Sequence, residues 1–278
     1  VPELPEVETT RRGLLPHLLG ARVRALQVHQ AQLRWPVSAE LREGLPGRRI
    51  VDVRRRAKYL LLELDPTPAD SEGASVIVHL GMSGSLRLDD PATPRRLHDH
   101  LELDLHEQRL VLRYHDPRRF GSWHWQPAGQ THPLLRQLGP EPLGPDFDAE
   151  YLWRLSRGRR AAVKLFLMDQ ASVVGVGNIY AAEALFQAAI DPRRAAGKIS
   201  LARYARLVEA VREVLGRAIA QGGTTLRDYL KPEGTPGYFA QSLAVYDRAG
   251  QPCRRCAGTV KRSVLGQRAT FFCAGCQK

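Results

Sequence analysis

Acid is in short supply relative to base in this chain: 29 Asp and Glu stand against 41 Lys and Arg in 278 residues, a net charge of +12. Cysteine is scarcer still, with four residues, all within the last 26, so a disulfide framework for the whole protein is excluded. No apolar run approaches the roughly 18 residues that a membrane span needs, and no signal-peptide pattern opens the chain. There is no internal repeat and no low-complexity tract. These absences point to a cytoplasmic protein that makes no membrane contact.

The basic excess is concentrated. Between Glu150 and Asp169 lie Arg154, Arg157, Arg159, Arg160 and Lys164 with no acid among them, and beyond Asp247 there are seven basic residues and again no acid. Such clustering suits a polyanionic partner; a solvated basic face that aids solubility is the plainer alternative.

Periodicity divides the chain into an α+β arrangement. Pro5 suits the first position of a short helix with Val7, Leu14, Leu15 and Leu18 as its apolar face. Leu101, Leu103 and Leu105 alternate, His106-Glu107-Gln108 turns the chain, and Leu110, Leu112 and Tyr114 alternate back, which predicts a hairpin. Tyr59–Leu64 and Val76–Leu80 are denser apolar runs that suit strands buried on both faces. Strands in this number predict an N-terminal antiparallel β-sandwich over residues 1–130. The proline- and glycine-rich stretch from Gly139 to Pro145 marks a linker, placed at residues 131–149. Residues 150–243 turn helical: Ser200 caps a helix with Leu201, Tyr204, Leu207, Val208, Val211, Leu215 and Ile219 on one face, ended by Gly222 and Gly223.

Residues 244–278 form a unit around Cys253, Cys256, Cys273 and Cys276, spaced C-x2-C-x16-C-x2-C. Each pair aims two thiolates at one ion, and two pairs close a tetrahedral zinc site; two disulfides or free thiols are the alternatives. Four protein ligands leave no open position, so the zinc is structural. The hairpin between the pairs carries Lys261, Arg262 and Arg268. Alone, this tetrad points to nucleic-acid or protein contact and not to an enzyme.

Six motifs, read together, resemble the formamidopyrimidine-DNA glycosylase family: Pro2-Glu3-Leu4-Pro5-Glu6-Val7-Glu8, Arg55-Arg56-Ala57-Lys58-Tyr59, His79-Leu80-Gly81-Met82-Ser83-Gly84, Asp116-Pro117-Arg118-Arg119-Phe120-Gly121, Val174-Gly175-Val176-Gly177-Asn178-Ile179-Tyr180 and Arg268-Ala269-Thr270-Phe271-Phe272-Cys273. The resemblance implies a β-sandwich, a helix-two-turn-helix region and a zinc finger, with duplex DNA carrying oxidised purines or abasic sites held in a cleft, and a monomeric enzyme. It implies Pro2 as nucleophile, Glu3 as the proton-relaying carboxylate, Glu6 as a support for the proline amine, and Lys58 as a contact to lesion or phosphate that assists elimination. Met82, Arg118 and Phe120 match the trio that fills the gap left by the extruded nucleotide; Asn178 and Arg268 match phosphate contacts, Arg268 also aiding the second elimination. His98 and Arg159 are weaker matches to DNA contacts, Lys164 of the basic run is expected to contact DNA as well, and Gly222–Tyr238 resembles a loop that closes over the flipped base. One departure stands out: proline is second here, behind Val1, and an amide nitrogen has no nucleophilic lone pair. A GTG start codon written as valine, its initiator clipped before proline, is the expected explanation. Two competing readings remain: an endonuclease VIII-like glycosylase for oxidised pyrimidines, and a non-catalytic zinc-ribbon DNA-binding protein.

Overall fold

The structure is a computed structural model and describes residues 2–68, 71–105, 109–224 and 242–278. It divides into two compact units, one comprising residues 1–136 with 221–238, the other residues 137–220 with 239–278. Residues 221–224 thus belong to the first unit although they follow the long helix of the second.

The first unit opens with α1 (Leu4–Leu18), followed by β1 (Ala25–Val28), α2 (Ala39–Gly44), β2 (Ile50–Arg56), β3 (Tyr59–Leu64), β4 (Ala74–His79), β5 (Ser85–Asp89), β6 (Asp99–Leu105), β7 (Leu110–His115), β8 (Ser122–Pro127) and the single turn α3 (Pro133–Arg136). Two four-stranded antiparallel sheets form, ordered β1-β6-β7-β5 and β2-β3-β4-β8. Leu60, Leu62 and Leu64 of one sheet share a core with Leu101, Leu103, Leu105 and Leu112 of the other, as the period of two in a strand requires. Leu61 and Ile77, which point the opposite way, are also buried, so β3 and β4 are covered on both faces. The expected hairpin is β6 and β7, paired from Leu105 opposite Leu110 outwards; its tip, His106–Gln108, lies outside the described residues. Pro5 falls at the second helical position and not the first, because Glu3 in extended conformation is the N-cap of α1.

The second unit holds α4 (Ala149–Ser156), α5 (Val163–Met168), α6 (Asn178–Gln187), α7 (Leu201–Ala220) and the hairpin β9 (Lys261–Leu265) with β10 (Arg268–Phe272). Asp148 caps α4 by accepting the Tyr151 N–H at 2.7 Å. Ser200 caps α7, its hydroxyl accepting the Arg203 N–H at 3.4 Å. On α7 the face from Tyr204 through Leu207, Val208, Val211 and Leu215 is buried as its spacing predicts, whereas Leu201, beside the cap, is exposed.

A charged network covers the outer side of β5, β6 and β7. Asp99, whose side chain is wholly buried, accepts from Arg87 at 2.8 Å and lies 2.9 Å from the Nδ1 of His115; Arg113 bridges Glu102 at 2.9 Å and Asp89 at 3.0 Å. Burial opposes the charge on Asp99, but hydrogen bonds from His115, Arg87 and the Arg96 amide outweigh it and hold this carboxyl well below the usual carboxylate range. A carboxylate depressed on folding contributes stability above its unfolded pKa of about 3.9 and loses it as pH falls below that value. Asp99→Asn should therefore cost about 3 kcal/mol at pH 7, and urea melts should show the gap to wild type narrowing by roughly 1 kcal/mol at pH 3. A gap of unchanged size would mean that the network is held by shape and not by this charge.

Candidate active site and nucleic-acid interface

The start of α1 carries three buried groups. Pro2 is buried, Glu3 is 3% exposed and Glu6 is 1% exposed. A carboxylate buried this deeply needs hydrogen-bond donors, and Glu6 has them: Oε2 accepts the Glu3 backbone N–H at 2.8 Å, while Oε1 accepts the Thr224 N–H at 2.8 Å and its hydroxyl at 2.9 Å. Gly223 presses against the same carboxylate; a Cβ there would come within 2.9 Å of Oε1, and its φ of +78° suits glycine alone. The turn that presents Pro2 and Glu3 and the start of the 222–238 stretch are thus tied to one side chain. The remainder of that stretch, with Thr225, lies outside the described residues, as does Val1.

Lys58 sits in the two-residue turn between β2 and β3, where Arg56 pairs with Tyr59 and Ala57 takes a φ of +55°. Arg55 closes the turn by donating to the Ala57 carbonyl at 2.9 Å and reaches Glu8 of α1 at 3.3 Å, so the helix that carries the N-terminus and the turn that carries Lys58 share a charged joint. Glu8 also binds Arg11 and Arg12; burial opposes its charge, and the arginines still hold its carboxyl low. Lys58 is half-buried. Its charge also bears on His79, the register partner of Tyr59. Burial, then Lys58 and Arg34, lower the His79 pKa to about 4. His79 is therefore neutral at pH 7, its Nδ1 accepts the Gly81 N–H at 3.1 Å, and its Nε2 carries the hydrogen. The sequence showed His79 inside a motif but gave it no role; its signal, a histidine at a strand end before glycine, is visible only once Tyr59 and Lys58 are placed beside it.

Met82, Arg118 and Phe120 stand on two neighbouring loops that one buried carboxylate holds together. Asp116 accepts from the Ser83 hydroxyl at 2.7 Å, from the Tyr114 hydroxyl at 2.9 Å and from the Gly121 N–H at 2.9 Å. Gly81 has φ +68°, and a Cβ on it would sit 2.4 Å from the Gly121 nitrogen, so the loop backbones meet where no side chain fits. Outside this knot Arg118 and Phe120 are exposed, the guanidinium 5.0 Å over the ring; Met82 is half-buried. His98 is half-buried beside them, its carbonyl accepting the Asp116 N–H at 3.0 Å.

In the second unit Gln170 shapes the loop before α6 by accepting the Gly175 N–H at 2.9 Å and donating to the Val176 carbonyl at 3.3 Å. Gly177 is the N-cap, so Asn178 is the first residue of α6. Arg159 and Arg268 are exposed, Arg268 at the start of β10. Lys164 departs from expectation. The charge run implied a side chain facing DNA, but Lys164 is fully buried, its Nζ donating to Asn178 Oδ1 at 2.6 Å, Thr270 Oγ1 at 2.8 Å and the Ala269 carbonyl at 3.0 Å. Its turn of α5 faces the zinc hairpin and not solvent, so it is not a surface phosphate contact.

The four cysteine sulfurs lie within 4.8 Å of one another. Sγ of Cys253 and Cys276 are 3.8 Å apart and those of Cys256 and Cys273 are 3.6 Å apart, against about 3.8 Å for the edge of a tetrahedron with zinc–sulfur bonds near 2.3 Å. Backbone N–H groups of Arg255 and Gly258 point at Cys253 and Cys256 at 3.4 and 3.3 Å, as suits thiolates. The donor set fits one structural zinc.

Comparison with known proteins agrees with this layout. Residues 1–123 match the family model of the formamidopyrimidine-DNA glycosylase N-terminal domain, residues 138–229 that of its H2TH domain, and residues 250–278 a zinc finger found in FPG and IleRS. The formamidopyrimidine-DNA glycosylase of Stenotrophomonas maltophilia (strain K279a) is 59% identical over 278 residues, covering all of both chains. Among solved structures, a Lactococcus lactis FPG mutant complexed with Fapy-dG-containing DNA superposes with a TM-score of 0.90 at 32% identity, covering all of both chains. The same organism's Fpg with abasic-site DNA gives 0.89 at 32%, covering 99% of each chain. The three domain models follow one another in order and the relative matches from end to end: the chain belongs to the formamidopyrimidine-DNA glycosylase family.

Proposed function

We propose that this protein is a base-excision repair enzyme that removes oxidised purines from duplex DNA and then cleaves the abasic strand. The observation that carries the reading is the buried N-terminal turn, where Pro2 and Glu3 sit side by side in a chain whose structural relatives include Fpg bound to Fapy-dG DNA and to abasic-site DNA.

With its nitrogen free, Pro2 is a secondary α-amine. An α-amino group titrates near 7.7–8.0 against about 10.4 for lysine, so far more of it is unprotonated at pH 7. The nitrogen attacks the sugar C1′, the glycosidic bond breaks, and the base leaves with a proton supplied through Glu3. The nitrogen gives up its proton, the C1′–O4′ bond opens as O4′ takes a proton relayed through Glu3, and the iminium so formed acidifies the C2′ hydrogen. Its removal expels the 3′ phosphate, and a second elimination expels the 5′ phosphate. Lys58, in its rigid turn, contacts the lesion or its phosphate. Met82 and Phe120 fill the gap left in the stack, and Arg118 hydrogen-bonds the orphaned base; its position over the Phe120 ring supports that pairing. His98, Arg159, Asn178 and Arg268 contact the backbone, and the zinc holds the hairpin from which Arg268 projects. The protein works as a monomer in the cytoplasm, at the nucleoid. The domain limits that follow from this reading are a catalytic sandwich over 1–130, a linker over 131–149, a helical DNA-binding region over 150–243 and a zinc finger over 244–278.

The mechanism rests on the first residues of the sequence. Protein re-engineered to begin Met-Pro-Glu, and so processed to proline, should cut an 8-oxoguanine duplex and become covalently joined to it when borohydride is added during turnover, with mass spectrometry placing the sugar on Pro2. The form that keeps Val1 should bind the duplex but cleave far more slowly. Glu3→Gln should bind and fail to excise. Equal cleavage by the Val1 form would end the case for a proline nucleophile, and preferential cleavage of thymine glycol would move the enzyme to the pyrimidine-acting branch.

Zinc should serve binding and not chemistry. Cys273→Ser should unfold the terminal hairpin and cost DNA affinity while the sandwich keeps its melting transition. Normal affinity for lesion DNA in that variant would remove Arg268 from the interface.

A further inference from the structure

Lys164, expected among the DNA contacts, is buried, and its surroundings give it another task. An ammonium offers three N–H groups from a single point at the end of a long apolar stem. Here three acceptors surround it: Asn178 Oδ1 on α6, and the Ala269 carbonyl and Thr270 hydroxyl on β10. Asn178 closes the figure by donating Nδ2 to the same Ala269 carbonyl at 3.1 Å. The ammonium fixes which way the Asn178 amide points, because only the oxygen can face it. It also fixes the backbone one residue beyond Arg268. Two side chains proposed to hold phosphates, one at the start of a helix and the other on the zinc hairpin, are thereby set in register by a third that is itself buried.

We propose that Lys164 is a positioning residue for phosphate recognition: it holds Asn178 and Arg268 at a fixed spacing so that both engage the phosphates of one DNA strand together. The inference rests on the phosphate roles assigned above to Asn178 and Arg268. It is separate from the folding of the zinc unit, which has its own attachments to α6. Glu183, buried mid-helix, accepts the N–H groups of Ala244, Val245 and Tyr246 at 2.7, 2.9 and 2.8 Å, and Phe186 packs in one apolar cluster with Val245 and Phe271. Removing the ammonium therefore loosens the spacing of two side chains and leaves the hairpin docked.

Lys164→Met keeps the stem length and removes the three donors. The dependence of DNA affinity on salt provides one readout, since each phosphate neutralised by a cationic side chain adds about 0.9 to the log–log slope, and affinity at fixed salt provides the other. Arg268→Ala should flatten the slope by about 0.9. Asn178→Ala, which removes an uncharged contact, should weaken binding at every salt concentration without changing the slope. Lys164→Met should do both, flattening the slope by about 0.9 with an affinity loss on the order of tenfold at 0.2 M salt. Zinc content and melting temperature should stay close to wild type. Adding Lys164→Met to the Asn178→Ala/Arg268→Ala double variant should change the slope no further. If Arg268→Ala flattens the slope and Asn178→Ala weakens binding while Lys164→Met does neither, Lys164 only fills space and the inference is overturned. If Arg268→Ala leaves the slope and Asn178→Ala the affinity unchanged, the phosphate reading itself fails and takes the inference with it. Should Lys164→Met lose zinc or unfold, Thr270→Val replaces it, removing one tie with little change of volume; a flatter slope in that variant supports the proposal and a wild-type slope refutes it.

Discussion

The first unit turns on a carboxylate that never reaches solvent. Asp116 is fully buried and its two oxygens take hydrogen bonds from Ser83, Tyr114 and the Gly121 amide. Leaving such a charge without donors costs several kcal/mol, so the loops at 79–84 and 116–121 adopt the arrangement that supplies them. Everything the two loops display outward follows: the pairing of Arg118 with Phe120, the place of Met82, and the neighbouring turn of His98. Rigid support for exposed groups is the general requirement of a recognition surface, and here a buried polar knot provides it where hydrophobic packing alone would not fix direction.

The same device recurs around the other candidate groups. Glu6 ties the Pro2–Glu3 turn to Thr224, Glu8 joins α1 to the Lys58 turn through Arg55, and Glu183 seats the chain that enters the zinc unit. The outward surface is cationic and the inward struts are largely anionic. A protein with a net charge of +12 thus spends part of its limited acid in the interior, which leaves the exterior more basic than composition alone implies.

Legibility in the sequence followed the range of the interactions. The strand Tyr59–Leu64 and the pairing of Leu105 with Leu110 were readable because side-chain alternation is local. The cysteine tetrad was readable because its spacing is itself the geometry. Pro5 misled by one residue, since the capping role of Glu3 depends on the Glu6 carboxylate reaching back. Lys164 misled outright, because a lysine in a basic run looks like every other one until the helix that carries it is packed. The joining of Glu6 to Thr224 spans 218 residues, and no pattern in a single sequence announces it. Family resemblance pointed to Arg118, Phe120, Arg159 and Arg268, which are exposed, but gave no role to the buried Asp116 and Glu183.

The contact between Gly81 and Gly121 has an evolutionary consequence. Two loops far apart in the sequence meet backbone to backbone: a Cβ on Gly81 would lie 2.4 Å from the Gly121 nitrogen, and one on Gly121 would strike the Tyr114 hydroxyl and come within 2.5 Å of the His79 carbonyl, so neither can acquire a side chain unless its neighbours retreat. Their histories are coupled. A lineage that altered the lesion-facing tip of one loop could do so freely, while the glycine beneath it would have to be inherited unchanged together with its partner. Swapping either loop alone from a distant homologue would therefore fail wherever the donor had settled on a different spacing, and only the pair could be moved as a single cassette.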